Sequence, residues 1–205
     1  ADPRALDPAF FDDGESAKVA ANIFEGLYRF GDTDTTVVPC LATELPEISE
    51  DGLEYTIKLR EGVKFHDGTD FNAAAVVTSI ERQLEPNRTS DMPYASFVFG
   101  EEAAGTGVAS LEAVDDYTVK ITLRAANTAF LAMALAAPIV CPTCLEAAGG
   151  NVGEDPTGAG TGPYKFVSWT KQSNVTLEAN EEYWDTENMP KTKNVVFRII
   201  PENNT

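Results

Sequence analysis

The chain has 205 residues, of which 43% are hydrophobic, and 15 basic against 33 acidic residues give a formal net charge of -18 at pH 7. This length and composition suit one large domain or two small ones and argue against disorder. The negative charge excludes nucleic acid as a partner, because no basic stripe is present to neutralise phosphates. The longest apolar run, residues 129–140, falls short of the roughly 18 residues that a membrane helix needs and contains Pro138.

The first half of the chain predicts alternating helices and short strands. In chain order these are a helix over residues 16–28, a half-buried strand over 53–60, a short strand over 63–66 and a helix over 72–84. Ser16 and Asn72 are the candidate N-caps of the two helices. The dipeptide Asp67-Gly68 predicts the turn that ends the short strand.

The second half of the chain predicts mostly strands. In chain order we expect strands over residues 109–114 and 117–123, a helix over 129–136, a short strand over 138–140, a helix-like segment over 145–150, and strands over 163–169, 174–180 and 194–200. Asp115-Asp116 predicts a tight turn, and Thr128 is the candidate N-cap of the helix. Short connections favour antiparallel pairs, so the fold class is α+β, mixed.

Catalytic chemistry has little support in the residue inventory. His66 is the only histidine, so a serine or cysteine triad would need it, yet it lies at a predicted strand end where a hydrogen-bonded edge histidine is more typical. The sequence contains no nucleophile elbow, zinc-protease helix, Walker loop or EF-hand loop. The sequence therefore predicts no catalytic residue and no cofactor.

Three cysteines leave several hypotheses open. Cys141 and Cys144 form a C-P-T-C motif, which is compatible with a disulfide, with free thiols or with a redox-active dithiol. Together with Cys40 and His66 they also add up to four zinc ligands, although only the C-P-T-C half has ligand spacing. A thiol-disulfide oxidoreductase and a zinc-stabilised structural module are thus the two alternatives to a binding protein.

A glycine-rich segment, GAGTG at residues 158–162, is the remaining motif. It lacks the Lys-Ser/Thr of a phosphate-binding loop, does not match the dinucleotide fingerprint and precedes a strand instead of a helix. We therefore interpret it as a loop that allows close backbone packing and leads into the strand over 163–169.

Several segments together resemble one family. In chain order they are ALDP, IFEGLYRF, VVPCLATEL, EDGLEYTIKLREGVKFHDGTDFNAAAVV, DDYTVKITL, GTGPYKFVSW and LEANEEYW. Their order and spacing resemble the extracellular, periplasmic-type solute-binding proteins of peptide and nickel ABC transporters, family 5. The central run is the most specific piece, and the match extends over nearly the whole chain.

The resemblance implies a periplasmic-binding-protein-like type II lobe with an inserted α/β subdomain. Residues 1–24 and 158–205 would form the incomplete main sheet of the first lobe, and residues 25–157 would form the inserted subdomain. The chain would then be an N-terminal lobe fragment that lacks the second lobe. The loop 158–162 would mark the return of the chain into the main sheet.

The resemblance also implies a non-enzymatic receptor. It would deliver a small molecule or peptide, above all an oligopeptide or dipeptide, to the permease of an ABC importer. The location would be extracytoplasmic, in the periplasm or anchored at the surface of a bacterial cell. Contact with the membrane would come only through the transporter or through a lipid anchor outside this chain.

Five residues are candidate ligand contacts by resemblance. Asp12, Asp13 and Gly14 align with a ligand-contacting loop of peptide receptors, where a carboxylate would pair with a ligand ammonium group. The competing interpretation is a solvated acidic loop before the first helix. Tyr94 and Phe97 match the region of a cleft-facing aromatic, with core packing as the competing interpretation. No metal ligand is implied, and Cys141 and Cys144 are the candidate disulfide.

Overall fold

A computed structural model describes residues 1–134 and 137–200, in which short helices pack against antiparallel sheets. The helices are α1 (Gly14–Ile23), α2 (Ala73–Glu81), α3 (Ala95–Phe99), α4 (Phe130–Met133) and α5 (Pro142–Ala147), with a 3-10 turn at Thr186–Asn188. The strands are β1 (Tyr28–Phe30), β2 (Val37–Pro39), β3 (Glu47–Ile48), β4 (Glu54–Lys58), β5 (Val108–Asp115), β6 (Thr118–Leu123), β7 (Tyr164–Thr170), β8 (Asn174–Ala179) and β9 (Asn194–Arg198). This mixture confirms the predicted α+β class.

The strands of the described residues form three antiparallel sheets. Their orders are β1-β2, β3-β4-β6-β5 and β7-β8-β9. In the four-stranded sheet Tyr55 pairs with Ile121 and Ile57 with Val119, and all four side chains are buried. Because successive residues of a strand point to opposite faces, this register gives the sheet one apolar face. The alternation predicted over residues 53–60 is confirmed.

Two large apolar clusters form the core. The larger one lies between the four-stranded sheet and α2, where Val76 and Ile80 are buried. The smaller one joins α1 to the three-stranded sheet and includes Ile23 and Leu177. It also contains three residues from the predicted insertion: Val140, Leu145 and Val152. The division of the chain at residues 24/25 and 157/158 stays a prediction.

Helix capping follows the sequence at one helix and departs from it at two others. Asn72 caps α2 as predicted, since its side-chain oxygen accepts from the Ala75 amide at 3.1 Å. The prediction of Ser16 as the first cap is wrong: Asp13 caps α1, and Ser16 lies inside the helix with its hydroxyl bonded to Asp13. The prediction of Thr128 as a cap is also wrong, because α4 begins after Ala129 without a side-chain cap.

The prediction of short strands over residues 63–66 and 138–140 is wrong, because neither segment forms a strand. Each segment makes only an isolated bridge, Lys64 with Asp70 and Pro138 with Gly26. The predicted turn at Asp67-Gly68 is confirmed, because the Gly68 amide donates to the Phe65 carbonyl and Gly68 has a φ of +89°. The last part of the helix predicted over 129–136 lies outside the described residues.

The glycine-rich loop 158–162 crosses directly over the end of α1. A Cβ atom at Gly160 would overlap the carbonyl oxygen of Ile23, and one at Gly162 would lie 2.7 Å from it. The Gly162 amide donates to that same carbonyl at 2.9 Å. The predicted close backbone packing is therefore confirmed, and it fixes the approach of the chain to β7. Among the described residues, no helix has the length and apolar character required to span a bilayer.

Candidate functional site

The first predicted contact segment, residues 12–14, forms the entrance to α1. The Asp13 carboxylate accepts hydrogen bonds from the Ser16 amide at 2.9 Å, the Glu15 amide at 3.1 Å and the Ser16 hydroxyl at 2.6 Å. Burial raises the pKa of Asp13, but these hydrogen bonds outweigh it and leave the pKa below its ordinary value. Asp13 is thus an ionised helix cap whose oxygens already have partners.

Asp12 and Gly14 lie on open surface beside that cap. Asp12 forms an ion pair with Arg4 at 3.0 Å, and both side chains are largely exposed. Exposed pairs of this kind contribute little stability, so a ligand cation can replace the arginine at small cost. A Cβ atom at Gly14 would have no neighbour within 4 Å. Of the acidic candidates, Asp12 is therefore the one available to a ligand.

The second predicted segment carries two exposed aromatic rings. Tyr94 is 53% and Phe97 is 72% exposed, at the start and within α3 respectively. The competing interpretation of both as core residues does not hold for this chain. Exposed rings of this size are typical of surfaces that cover a ligand or another protein surface.

A small apolar cluster brings the two segments together. Ala9, which lies three residues before Asp12, is buried against Met92 and Ala95 from the second segment, and Phe10 packs on the same cluster. The chain before Asp12 and the chain around Tyr94 therefore meet at this cluster, although about 80 residues of sequence separate them. We refer to segments 9–14 and 92–97 together as the contact surface.

A separate cavity of about 600 Å³ surrounds a buried carboxylate that sequence reasoning missed. Glu25 accepts hydrogen bonds from the Tyr183 hydroxyl at 2.6 Å, the Trp184 indole at 2.8 Å and the Thr161 hydroxyl at 2.8 Å. Burial raises the pKa of Glu25, while these hydrogen bonds oppose the rise. The guanidinium of Arg60 lies 4.5 Å from the centre of the Trp184 ring. Glu25 and the three residues that donate to it come from the segments IFEGLYRF, GTGPYKFVSW and LEANEEYW, so the resemblance itself was the signal that could have identified them.

The cysteines divide between two places. All three are free thiols: Cys40 lies 3.7 Å from a Glu25 oxygen, whereas Cys141 and Cys144 lie beside Asp67. His66 is elsewhere, with its Nε2–H donating to the Gly162 carbonyl at 2.9 Å. The four zinc ligands considered from the sequence are therefore not assembled. Oxidation of the Cys141 and Cys144 thiols to the disulfide implied by the resemblance stays a prediction.

A thiol-disulfide enzyme is not favoured by the electrostatics of the C-P-T-C motif. Burial raises the pKa of the Cys144 thiol, and the neighbouring Cys141 and Asp67 raise it further. A redox-active dithiol depends on a readily formed thiolate, which requires the opposite shift. Cys40 is no better suited, because burial and the adjacent Glu25 raise its pKa to about 12.

The family follows from comparison with known proteins. Residues 36–205 match the family described as bacterial extracellular solute-binding proteins, family 5, middle region. The chain belongs to this family. A relative from Pectobacterium atrosepticum, named as a glutathione-binding protein GsiB, is 38% identical over 203 residues, and an Escherichia coli protein of the same name is 37% identical.

Solved structures agree with the family and the fold. The periplasmic binding protein DppA from Helicobacter pylori, in complex with the peptide STSA, superposes with a TM-score of 0.85 at 33% identity over 98% of this chain. A dipeptide-binding protein from a Pseudoalteromonas species, in complex with Met-Leu, gives a TM-score of 0.84 at 26% identity over 98% of this chain. The chain spans 37% of the length of the GsiB relatives and 41% and 42% of the lengths of these two structures.

Proposed function

We propose that this chain contributes one lobe to an extracytoplasmic receptor that delivers an oligopeptide or dipeptide to an ABC importer. The observation that carries the proposal is the contact surface. It combines an exposed carboxylate, Asp12, with the exposed rings of Tyr94 and Phe97, and the apolar cluster around Met92 holds the two segments together.

The chemistry of this surface suits a peptide. A carboxylate pairs with an ammonium group by a charge-assisted hydrogen bond. Aromatic rings cover apolar side chains at low entropic cost and favour ligands with at least one such group. The family's relatives support the same class of ligand, since those compared above are named for glutathione, a dipeptide and a tetrapeptide.

Binding of this kind needs a second lobe. Receptors of this type enclose the ligand between two lobes, so one lobe supplies only part of the buried contact. We infer that the permease of an importer is the macromolecular partner and that the protein acts as a receptor without catalysing a reaction.

Isothermal titration calorimetry against pools of dipeptides, tetrapeptides and glutathione tests the proposal. The 205-residue chain is compared with a longer form in which a second lobe follows it. We expect saturable binding by the longer form and at least about tenfold weaker binding by the chain alone, because half of the enclosing surface is then missing.

Matched variants of the longer form locate the ligand. Tyr94→Ala and Asp12→Asn should each weaken binding by about tenfold, which corresponds to about 1.4 kcal/mol. Ile48→Ala and Asp70→Asn are the controls, because they also alter an exposed apolar residue and an exposed ion-paired aspartate. Equal effects of control and test variants would contradict the contact surface. No peptide binding by either form would contradict the ligand class.

A further inference from the structure

Asp67, Cys141 and Cys144 form a cluster of side chains with no part in the proposed receptor function. The Asp67 Oδ2 atom lies 3.2 Å from the Cys141 sulfur and 3.7 Å from the Cys144 sulfur, and all three atoms fall within 4.8 Å of one another. The Thr143 hydroxyl donates to the same carboxylate oxygen at 2.7 Å. Two sulfur atoms and one carboxylate oxygen therefore converge on one point.

The backbone fixes this convergence. The Asp67 amide donates to the Gly158 carbonyl at 3.2 Å, and the Cys141 amide donates to the next carbonyl, Ala159, at 2.9 Å. The two ligand-bearing segments are thus held by consecutive peptide groups of the glycine-rich loop. A Cβ atom at Gly158 would lie 2.9 Å from the Asp67 Cβ and 3.2 Å from the Cys144 sulfur, so only glycine leaves room for the cluster.

The distances agree with those expected around one tetrahedral metal ion. Zn–S bonds of about 2.3 Å and Zn–O bonds of about 2.1 Å place a sulfur and an oxygen on the same ion about 3.6 Å apart. The observed sulfur–oxygen distances of 3.2 and 3.7 Å bracket this value.

The cluster is accessible from solvent on one side. Asp67, Thr143 and Cys144 line a cavity of about 510 Å³, whereas Cys141 is fully buried. Asp155 and Thr157 form part of the cavity wall. Three protein ligands with an open side leave the fourth tetrahedral position for a water molecule, as in zinc sites that have only three protein ligands.

We propose that Asp67, Cys141 and Cys144 form an exchangeable binding site for a thiophilic divalent cation, with Zn²⁺ as its representative. The site differs from the ligand set considered from the sequence, because Asp67 takes the place of the distant Cys40 and His66. Two thiolates and one carboxylate discriminate against Mg²⁺ and Ca²⁺, which prefer oxygen ligands.

Binding is balanced by the release of protons. Each thiol loses its proton to solvent as its sulfur–metal bond forms, so that one Zn²⁺ displaces two protons and leaves the site with one net negative charge. The carboxylate needs no deprotonation. Burial raises the pKa of Asp67, but hydrogen bonds from Thr69, Thr143 and Cys141 outweigh it and lower the pKa to about 2.

Metal titration of the 205-residue chain tests the site. The protein is kept reduced with a phosphine, and Zn²⁺ is titrated in competition with a chromophoric chelator. We expect one Zn²⁺ per chain, and replacement by Co²⁺ should produce a sulfur-to-cobalt charge-transfer band in the absorption spectrum. Cys144→Ser should weaken binding by at least about tenfold and reduce the band, because loss of even an outer-shell partner of a metal ligand costs about 10- to 100-fold in affinity.

Cys40→Ser is the matched control, because it removes the remaining thiol and leaves the cluster intact. Asp67→Asn is a second test variant, and the thermal unfolding of all variants shows whether they are folded. Loss of affinity in Cys144→Ser and Asp67→Asn with retention in Cys40→Ser supports the site. No uptake by the reduced wild-type chain, cobalt binding without the charge-transfer band, or equal weakening by Cys40→Ser would overturn it.

Discussion

The aspartate of the ALDP segment illustrates how one residue can hold distant parts of the chain together. Asp7 is fully buried and forms a two-pronged ion pair with Arg82 at 2.7 and 2.8 Å. It also accepts hydrogen bonds from the amides of Ala9 and Val152 at 3.0 Å each. One carboxylate thereby joins the segment before α1, the end of α2 and the loop after α5.

Replacing this carboxylate should be costly. Asp7→Ala leaves the Arg82 guanidinium, 13% exposed, without its partner and should lower the free energy of unfolding by about 3 kcal/mol. Asp12→Ala is the control, since it removes an aspartate from an exposed pair with arginine and should cost no more than about 0.5 kcal/mol. Urea denaturation monitored by circular dichroism measures both, and similar losses in the two variants would contradict the argument.

His66 is a buried imidazole in an environment that disfavours its protonated form. Its Nε2–H donates to the Gly162 carbonyl, and its Nδ1 atom is buried without a hydrogen-bond partner among the described residues. A proton on Nδ1 would place an uncompensated charge in the interior. Burial accordingly lowers the pKa of His66 from 6.5 to about 4, with nearby Lys165 contributing in the same direction.

Stability should therefore fall on acidification between about pH 6.5 and pH 4. In this window the unfolded chain binds a proton at His66 and the folded chain does not, so protonation favours unfolding, by up to about 3 kcal/mol at the lower end. Above pH 6.5 both states are neutral at this residue and the effect vanishes. His66→Gln keeps a donor for the Gly162 carbonyl but cannot titrate. The difference in unfolding free energy between wild type and variant should depend on pH only in that window, and a constant difference would refute the assignment.

At the scale of elements, the glycine-rich loop packs over the end of α1 immediately before the chain enters β7. Its close approach to Ile23 leaves no room for a side chain at Gly160. Gly160→Ala should thus separate the loop from the helix end and lower the free energy of unfolding by at least about 2 kcal/mol, as overpacked sites do.

Gly14→Ala is the matched control for this substitution. Gly14 is the first residue of α1, and an added Cβ atom would meet no neighbour within 4 Å. Alanine restricts the unfolded chain more than glycine, so the control should be neutral or stabilising by up to about 1 kcal/mol. Chemical denaturation of both variants compares them, and a neutral Gly160→Ala would show that the helix end can move away at little cost.

The elements that the sequence predicted well are those whose signal is local. Strands β4 and β6 alternate because one face is buried, and that pattern is visible without knowledge of the partner strand. The cap of α1 was misassigned because Asp13 and Ser16 are both good capping residues, and only the backbone conformation at Asp13 decides between them. Residues 63–66 have a strand-like composition, but their amides bond to loops and not to a neighbouring strand.

The sites depended on contacts that no local pattern contains. Glu25 and Trp184 are 159 residues apart, and Asp67 and Cys141 are 74 apart. The sequence pattern already assigned Asp67 to the Asp67-Gly68 turn, so it gave no reason to expect the contacts of its carboxylate with the Cys141 and Cys144 thiols. Family resemblance alone suggested Tyr94 and Phe97 as ligand contacts, and their exposure became visible only in the fold, because aromatic residues are common in protein cores.

The whole molecule carries far more negative than positive charge. With a formal net charge of -18 on 205 residues, exposed carboxylates repel one another in the folded state more than in the expanded unfolded chain. Exposed ion pairs such as Lys120 with Glu54 offset only part of this repulsion. Because this repulsion acts over long distances, its contribution to stability depends on the net charge of the whole molecule and not on any single residue.

Salt should therefore stabilise this protein. Raising NaCl from about 0.02 M to about 0.5 M shortens the screening length from about 20 Å to about 4 Å, which weakens the long-range repulsion more than the short buried contacts. We expect Tm to rise by several degrees. In a triple variant, Glu47→Lys, Glu61→Lys and Glu181→Lys, the net negative charge is reduced by a third and the salt-induced rise in Tm should shrink. Asp7→Ala is the control and should keep most of the wild-type rise in Tm, because the Asp7–Arg82 ion pair that it removes is buried and weakly screened by salt. A fall in the Tm of the wild type with added salt would mean that attraction in the exposed ion pairs outweighs repulsion from the net charge.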